Sequence, residues 1–148
     1  MSIFGTDGIR ARAGDGLLST DSVEAIGRSL ASMLHDRGDF PLDIGTERGT
    51  AVYIGRDTRE SGPQLLGQLS EGFLSAGLDV CDLGVLPTPG IAELARSSAE
   101  CCLAIVLSAS HNPAQDNGIK LISAAGFKVS DQFEEEVSRR FHSGVSAK

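Results

Sequence analysis

The sequence has no basic excess: 13 lysines and arginines stand against 20 aspartates and glutamates, for a net charge of −7. That excludes a duplex-binding surface built on general positive charge, so no nucleic-acid partner is expected. No apolar run approaches the ~20 residues of a membrane span, so no membrane partner is expected either. The first residues, Met1-Ser2-Ile3-Phe4-Gly5-Thr6-Asp7, lack a basic segment followed by an apolar stretch, and no signal peptide is read there. Cysteine is scarce. The three residues, Cys81, Cys101 and Cys102, are odd in number and form no C-x-x-C pair, which fits a reducing compartment. Cys101 and Cys102 are adjacent, so on a strand they face opposite ways, and the cysteines are read as packing thiols. The expected setting is soluble and cytoplasmic. Two catalytic signatures are also missing: there is no G-x-x-x-x-G-K-S/T loop for a nucleotide and no G-x-S-x-G elbow.

What remains is the composition of an ordinary globular domain, 41% hydrophobic and 22% charged. At 148 residues the chain is one domain, able to bury roughly two-thirds of its unfolded surface without a disulfide or metal. Its 18 glycines exceed the average share and point to tight turns or close backbone approach to a ligand.

Periodicity gives the elements. Gly5 to Gly16 reads as a loop or irregular hairpin. Asp21, with Glu24 three residues on, caps a helix carrying Val23, Ile26, Leu30, Met33 and Leu34, which stops at Gly38. Residues 38–50 read as a surface loop. Ala51–Ile54 is a first strand, and Leu65, Leu66, Leu69 and Phe73 mark a second helix closed around Gly77. Leu78–Leu83 is a second strand, Ile91, Leu94 and Ala95 a short helix, and Cys101–Leu107 a central strand covered on both faces. Ile119–Ile122 is a fourth strand, and a last helix holds Phe133, Val137 and Phe141, capped by Asp131. Alternating strands and helices imply parallel pairing through crossovers. The last strand follows after about ten residues with no helical pattern, too few for a crossover, so it is antiparallel. The expected fold is α/β: three layers, α/β/α, around a four-stranded mixed sheet, mostly parallel with the last strand antiparallel.

Ligands of open α/β sheets gather beyond the carboxyl ends of the strands. Three loops reach that region: Gly5–Arg10, Gly55–Arg59, and Ser108–Pro113 with Asp116–Lys120. They carry four cations, Arg10, Arg56, Arg59 and Lys120, on an acidic chain. Guanidinium forks and an ammonium suit phosphate oxygens. Ser110 leaves a buried strand into a short polar loop, where its hydroxyl is exposed yet held. A hydrolase dyad with His111 is rejected, because neighbouring side chains of an extended segment diverge. A serine among arginine, lysine and loop amides suits a phosphoryl group.

Ser108-Ala109-Ser110-His111-Asn112-Pro113 with Asp116-Asn117-Gly118-Ile119-Lys120 resembles the phosphoserine loop of the α-D-phosphohexomutases. Phe4-Gly5-Thr6-Asp7-Gly8-Ile9-Arg10 resembles that family's N-terminal motif, and Gly55-Arg56-Asp57-Thr58-Arg59 its next loop. The resemblance covers the whole chain but only the first of the family's four domains, and it implies a three-layer unit with one antiparallel edge strand. It assigns residues 1–148 as phosphohexomutase domain I, with the remaining domains of a parent chain as partners.

The resemblance further implies that Ser110 carries the catalytic phosphate between a small phosphosugar substrate and a bisphosphate intermediate. Arg10, Lys120 and His111 would be catalytic, with Lys120 close to the transferring phosphate. Arg56, Arg59, Asn112 and Asn117 would bind phosphate or substrate. Mg²⁺ would meet this chain through a phosphoryl oxygen on Ser110, and hexose 1,6-bisphosphate would act as activator. Ser108 replaces the family's more usual threonine and keeps the hydroxyl. The family's Asp-Gly-Asp-Gly-Asp metal loop and Gly-Glu-x-Ser-Gly-His sugar loop do not occur, and Gly144–Lys148 reads as an interdomain linker. The expectation is an excised or truncated first domain, inactive alone, whose wording leans toward a glucosamine phosphate substrate over mannose or glucose. The rival is a free-standing phosphosugar- or anion-binding module.

Overall fold

Seven consecutive apolar residues, Cys101–Leu107, form a strand buried along its whole length, and the rest of the fold is arranged around it. In the computed structural model, which describes residues 1–36 and 49–144, the elements are β1 (Ile9–Arg12), α1 (Thr20–His35), β2 (Ala51–Arg56), α2 (Gly62–Ser75), β3 (Asp79–Val85), α3 (Thr88–Ser97), β4 (Cys101–Leu107), β5 (Asp116–Ser123) and α4 (Asp131–Ser143). The sheet order is β1-β5-β4-β2-β3. β2 is parallel to β3 and β4, whereas β5 is antiparallel to both β4 and β1.

The α/β class and the antiparallel last strand agree with the sequence reading, but the sheet has five strands, not four. The extra strand, Ile9–Arg12, lies inside the segment read as a loop or irregular hairpin. Its alternation is only four residues long and glycine-flanked, so what makes it a strand is the open edge of β5, paired from Ile9↔Ile119 to Arg12↔Asp116. β1 thereby displaces β5 from the edge position that the resemblance implied. β5 itself begins at Asp116 rather than at Ile119.

The larger core joins one sheet face, through Val52, Ile54, Leu103, Ile105, Leu107, Ile119 and Leu121, to α1, α2 and α4. A smaller core on the other face packs Ala104, Val106 and Ile122 against Ile91 and Ala95 of α3. Cys102 belongs to the first core and Cys101 to the second, as adjacent strand residues should. Cys81 departs from the packing-thiol expectation: it is exposed, because β3 is an edge strand with a thinly covered face.

Two caps also differ. Ser19 Oγ accepts from the Ser22 amide at 3.3 Å and Ser130 Oγ from the Phe133 amide at 3.1 Å. Asp21 and Asp131 instead sit in the first turns, where their charge complements the helix dipole. The Gly38 stop, most of the 38–50 loop and residues 145–148 of the expected linker lie outside the described residues. Among the described residues no helix is long and apolar enough to cross a membrane.

α1 and α2 meet backbone to backbone. A Cβ on Gly72 would stand 2.5 Å from the Gly27 carbonyl carbon, and one on Gly27 would stand 2.6 Å from the Leu69 oxygen. Gly67, earlier in α2, faces open space. Gly72→Ala is therefore expected to destabilise the fold by about 1–3 kcal/mol through overpacking. Gly67→Ala should stabilise it by about 0.5–1 kcal/mol through helix propensity. Urea melts of the two variants check the pair; equal effects would contradict the close approach.

Candidate active site

The carboxyl ends of β2 and β4 and the start of β5 bring two loops together. The Asp57 amide donates to the Leu107 carbonyl at 3.1 Å, and the Ser108 amide to the Gly118 carbonyl at 3.1 Å. Ser110 rises from this junction with φ +53°, in the left-handed region, the one non-glycine residue there among those described. For a residue with a Cβ that backbone costs of order 1–3 kcal/mol and persists only where surrounding contacts enforce it.

Those contacts are present on both sides of the residue. The Ser110 amide donates to Ser108 Oγ at 3.0 Å, and Ser108 Oγ donates to Asp57 Oδ2 at 2.7 Å. The Ser110 carbonyl accepts from Arg59 Nη2 at 2.8 Å. Arg59 Nη1 reaches three further carbonyls, of Asn112 (3.1 Å), Pro113 (2.6 Å) and Asp116 (3.2 Å). Its Nε donates to Asp57 Oδ2 at 3.0 Å, and its side chain is only 9% exposed. The burial of Asp57 acts to raise its pKa, but the Ser108 hydroxyl, the Arg59 amide and the Arg59 guanidinium outweigh it and hold the carboxyl below its usual range.

Arg10 supplies the contact to the hydroxyl itself. Its Nη2 donates to Ser110 Oγ at 3.2 Å and its Nη1 to Asn112 Oδ1 at 3.4 Å. Its Nε is buried and finds no hydrogen-bond partner among the described residues. Gly118, paired across from Arg10, makes the approach possible: a Cβ there would stand 2.5 Å from the Ser108 oxygen and 3.2 Å from Arg10 Cγ. Lys120 lies two residues further along β5, on the same face as Arg10 and diagonal to it, at a spacing of about 7–8 Å for such a pair. It is half-buried, and its side chain makes no hydrogen bond or ion pair among the described residues. An open cleft of about 780 Å³ runs between Asp57–Glu60 and Ser110, Asn112, Ala114 and Gln115.

The expected site residues therefore separate into groups. Ser110, Arg10 and Asn112 meet directly, with Lys120 beside them. His111 is exposed, and Ser110 Oγ has Arg10, not His111, as its partner. Arg59 borders the cleft, but its donors are taken up by Asp57 and the loop carbonyls. Arg56 turns the other way and pairs with Asp82 of β3 at 2.9 Å. Asn117, expected to bind phosphate or substrate, is fully buried; its amide donates to Ser61 Oγ at 2.8 Å and braces the start of α2. Its position on β5 points it to the helix side of the sheet, away from Arg10. Asp57, Ser108 and Asp116 stand within the sequence motifs but carried no expected role of their own. The Asp-x-Arg spacing of Asp57 and Arg59 was the available signal, since it lets the carboxylate accept from both the amide and the guanidinium two residues on.

No three His, Cys, Asp or Glu side chains gather to hold a metal among the described residues. The two carboxylates of the loop network are already engaged, Asp57 by Arg59 and Ser108, and Asp116 by Asn112 Nδ2 at 3.3 Å. These residues do not by themselves make a Mg²⁺ site, which needs several free oxygens.

Comparison with known proteins decides the family. The model of phosphoglucomutase/phosphomannomutase, alpha/beta/alpha domain I, matches residues 1–148. The chain belongs to that family. Curated relatives of this domain I include a phosphoglucosamine mutase of Hydrogenovibrio crunogenus, 41% identical over 143 residues that span 97% of the chain and 30% of the relative. Another, from Polaromonas naphthalenivorans, is 46% identical over 134 residues, 90% of the chain and 28% of the relative. The chain thus spans about 30% of the length of the curated relatives it matches. Among solved structures, a phosphoglucomutase/phosphomannomutase family protein from Burkholderia thailandensis superposes with a TM-score of 0.76 at 32% identity, covering 95% of this chain and 30% of that one. A putative phosphomannomutase from Thermus thermophilus gives 0.73 at 26% identity, covering 100% of this chain and 32% of that one.

The depressed Asp57 carboxyl makes a pH prediction for this domain. A folded-state pKa below the unfolded 3.8 contributes stability that is complete above 3.8 and is lost as pH falls through the lower folded value. Asp57→Asn should therefore lower stability at pH 7, with the gap to wild type closing below about pH 4. Denaturant melts between pH 7 and pH 3 measure it; a gap that widens on acidification would reverse the assigned sign.

Proposed function

We propose that this chain is the catalytic-serine domain of a phosphohexomutase that interconverts hexose 6-phosphate and hexose 1-phosphate, with glucosamine phosphate as the preferred sugar. One observation carries the reading: Ser110 Oγ stands exposed on a loop fixed from both sides, with the Arg10 guanidinium already on it. The choice of glucosamine over mannose or glucose follows the names of the relatives, which are phosphoglucosamine mutases.

In this mechanism the phosphorylated Ser110 meets a hexose monophosphate. A free sugar hydroxyl attacks phosphorus, and a new sugar O–P bond forms as the P–Oγ bond breaks. The hydroxyl proton passes to a base, the role proposed for the exposed His111, and the departing Ser110 Oγ, held by Arg10, takes up a proton in turn. The resulting bisphosphate turns over in the site, and its other phosphoryl group returns to Ser110 Oγ by the reverse step. Arg10 and Lys120 offset the charge spread over the transferring oxygens, each such donor being worth about 10²–10³-fold in rate. Arg10 Nη2, already on Ser110 Oγ, is placed to donate to a phosphoryl oxygen. Mg²⁺, for which the described residues of this chain offer no ligand set, would be held by residues elsewhere in the enzyme and would supply further charge neutralisation. Arg59 and Asn117 serve the loop and the helix behind it, and Arg56 the β3 side. A cytoplasmic enzyme is the setting that fits three free thiols.

The test uses the full-length enzyme to which this domain would belong. Incubation with radiolabelled glucosamine 1,6-bisphosphate should place the label on Ser110. Ser110→Ala should remove almost all turnover and leave folding nearly intact, because an exposed loop hydroxyl adds little stability. Label on another residue, or full activity in Ser110→Ala, would overturn the mechanism. Phosphosugar binding without any labelling would favour the rival anion-binding module.

A further inference from the structure

We infer that Arg59 is a positioning residue for phosphoryl transfer: it sets the left-handed backbone of Ser110 by tying the loop's carbonyls together, and touches neither phosphate nor sugar. The inference rests on the phosphoserine reading above. It begins from the inventory of one side chain. A guanidinium has five N–H donors in a rigid fork. Here they meet the Asp57 carboxylate and the carbonyls of Ser110, Asn112, Pro113 and Asp116, which leaves at most one hydrogen for anything else. The side chain is nearly buried, and its anchor, Asp57, stays ionised because its pKa lies below the usual range.

The loop gives this clamp its purpose. Between β4 and β5 the chain must turn through Ser110, whose φ of +53° a free serine would rarely adopt. The amide and the carbonyl of Ser110 are tied, through Ser108 and Arg59 respectively, to the same Asp57 carboxylate. The direction of the Cα–Cβ bond, and so of Oγ, is thus fixed from behind, while Arg10 approaches Oγ from β1. Two arginines divide the work: Arg10 faces the reacting oxygen and Arg59 holds the peptide that carries it.

Lysine cannot replace this arrangement, because an ammonium is a point charge with three donors and no planar fork. Displacing a reacting group by about 1 Å costs on the order of 10²-fold in rate, without a matching loss of substrate affinity. The experiment therefore measures kcat and KM separately in the full-length enzyme, after label has been mapped to Ser110 in the wild type. Without label on Ser110 the phosphoserine reading itself fails. Where label is found, Arg59→Ala should lower kcat by about 10²-fold with KM changed less than about threefold. Arg59→Lys keeps the charge beside Asp57 and so preserves the fold if Arg59→Ala does not. It should still lower kcat by more than about fivefold. Single-turnover phosphorylation of Ser110 by the bisphosphate should slow in step with kcat. Wild-type kcat in either folded variant, or a raised KM with kcat unchanged, would overturn the positioning role and return Arg59 to direct substrate binding.

Discussion

The fork of hydrogen bonds from Arg59 to four loop carbonyls and one carboxylate is the interaction on which the site depends. Carbonyls of an irregular loop need donors, and a loop between two sheet strands has few of its own. One guanidinium supplies them together. It is stable where it is because Asp57 compensates its charge, and Asp57 is stable as an anion because Ser108, Arg59 and the local amide donate to it. Remove Arg59 and the Asp57 carboxylate and four loop carbonyls lose donors together, a cost that water offsets only where they are exposed.

The sheet delivers the other half. β4 carries the chain to Ser108 in a strand buried along its length, and β5 returns antiparallel so that Gly118 lies behind the loop. The missing side chain at Gly118 lets Arg10 cross from β1 to Ser110. Lys120, one step along the same face, adds a second cation. The result is a small region of positive charge at a sheet edge, on a protein whose net charge is −7. Such a local field favours an anion there where the net charge of the whole surface would repel one.

Much of this was legible in the sequence. The apolar run Cys101–Leu107 identified the central strand, and cations placed in loops pointed to the end of the sheet where Arg10 and Ser110 meet. The N-terminal strand was not legible, because Ile9–Arg12 has too few alternating positions to declare itself and owes its form to an unpaired neighbour. Nor could composition tell which arginines face outward. Arg10, Arg56 and Arg59 read alike in sequence; burial and partners assign one to the serine oxygen, one to Asp82 and one to the loop backbone. Asn117 was misplaced for a related reason, since strand alternation from Gly118 turns it toward α2 once the start of β5 is known. The caps erred by one or two residues because serine and aspartate compete for the same position.

The loop is set in advance, so that a phosphoryl group on Ser110 would meet Arg10 without rearrangement. A crystal structure of the Ser110-phosphorylated protein tests it most directly. Ser110 should keep a positive φ, Arg59 should keep its carbonyls, and Arg10 Nη2 should donate to a phosphoryl oxygen. A loop rebuilt into an extended Ser110, or a phosphoryl group turned away from Arg10, would contradict it.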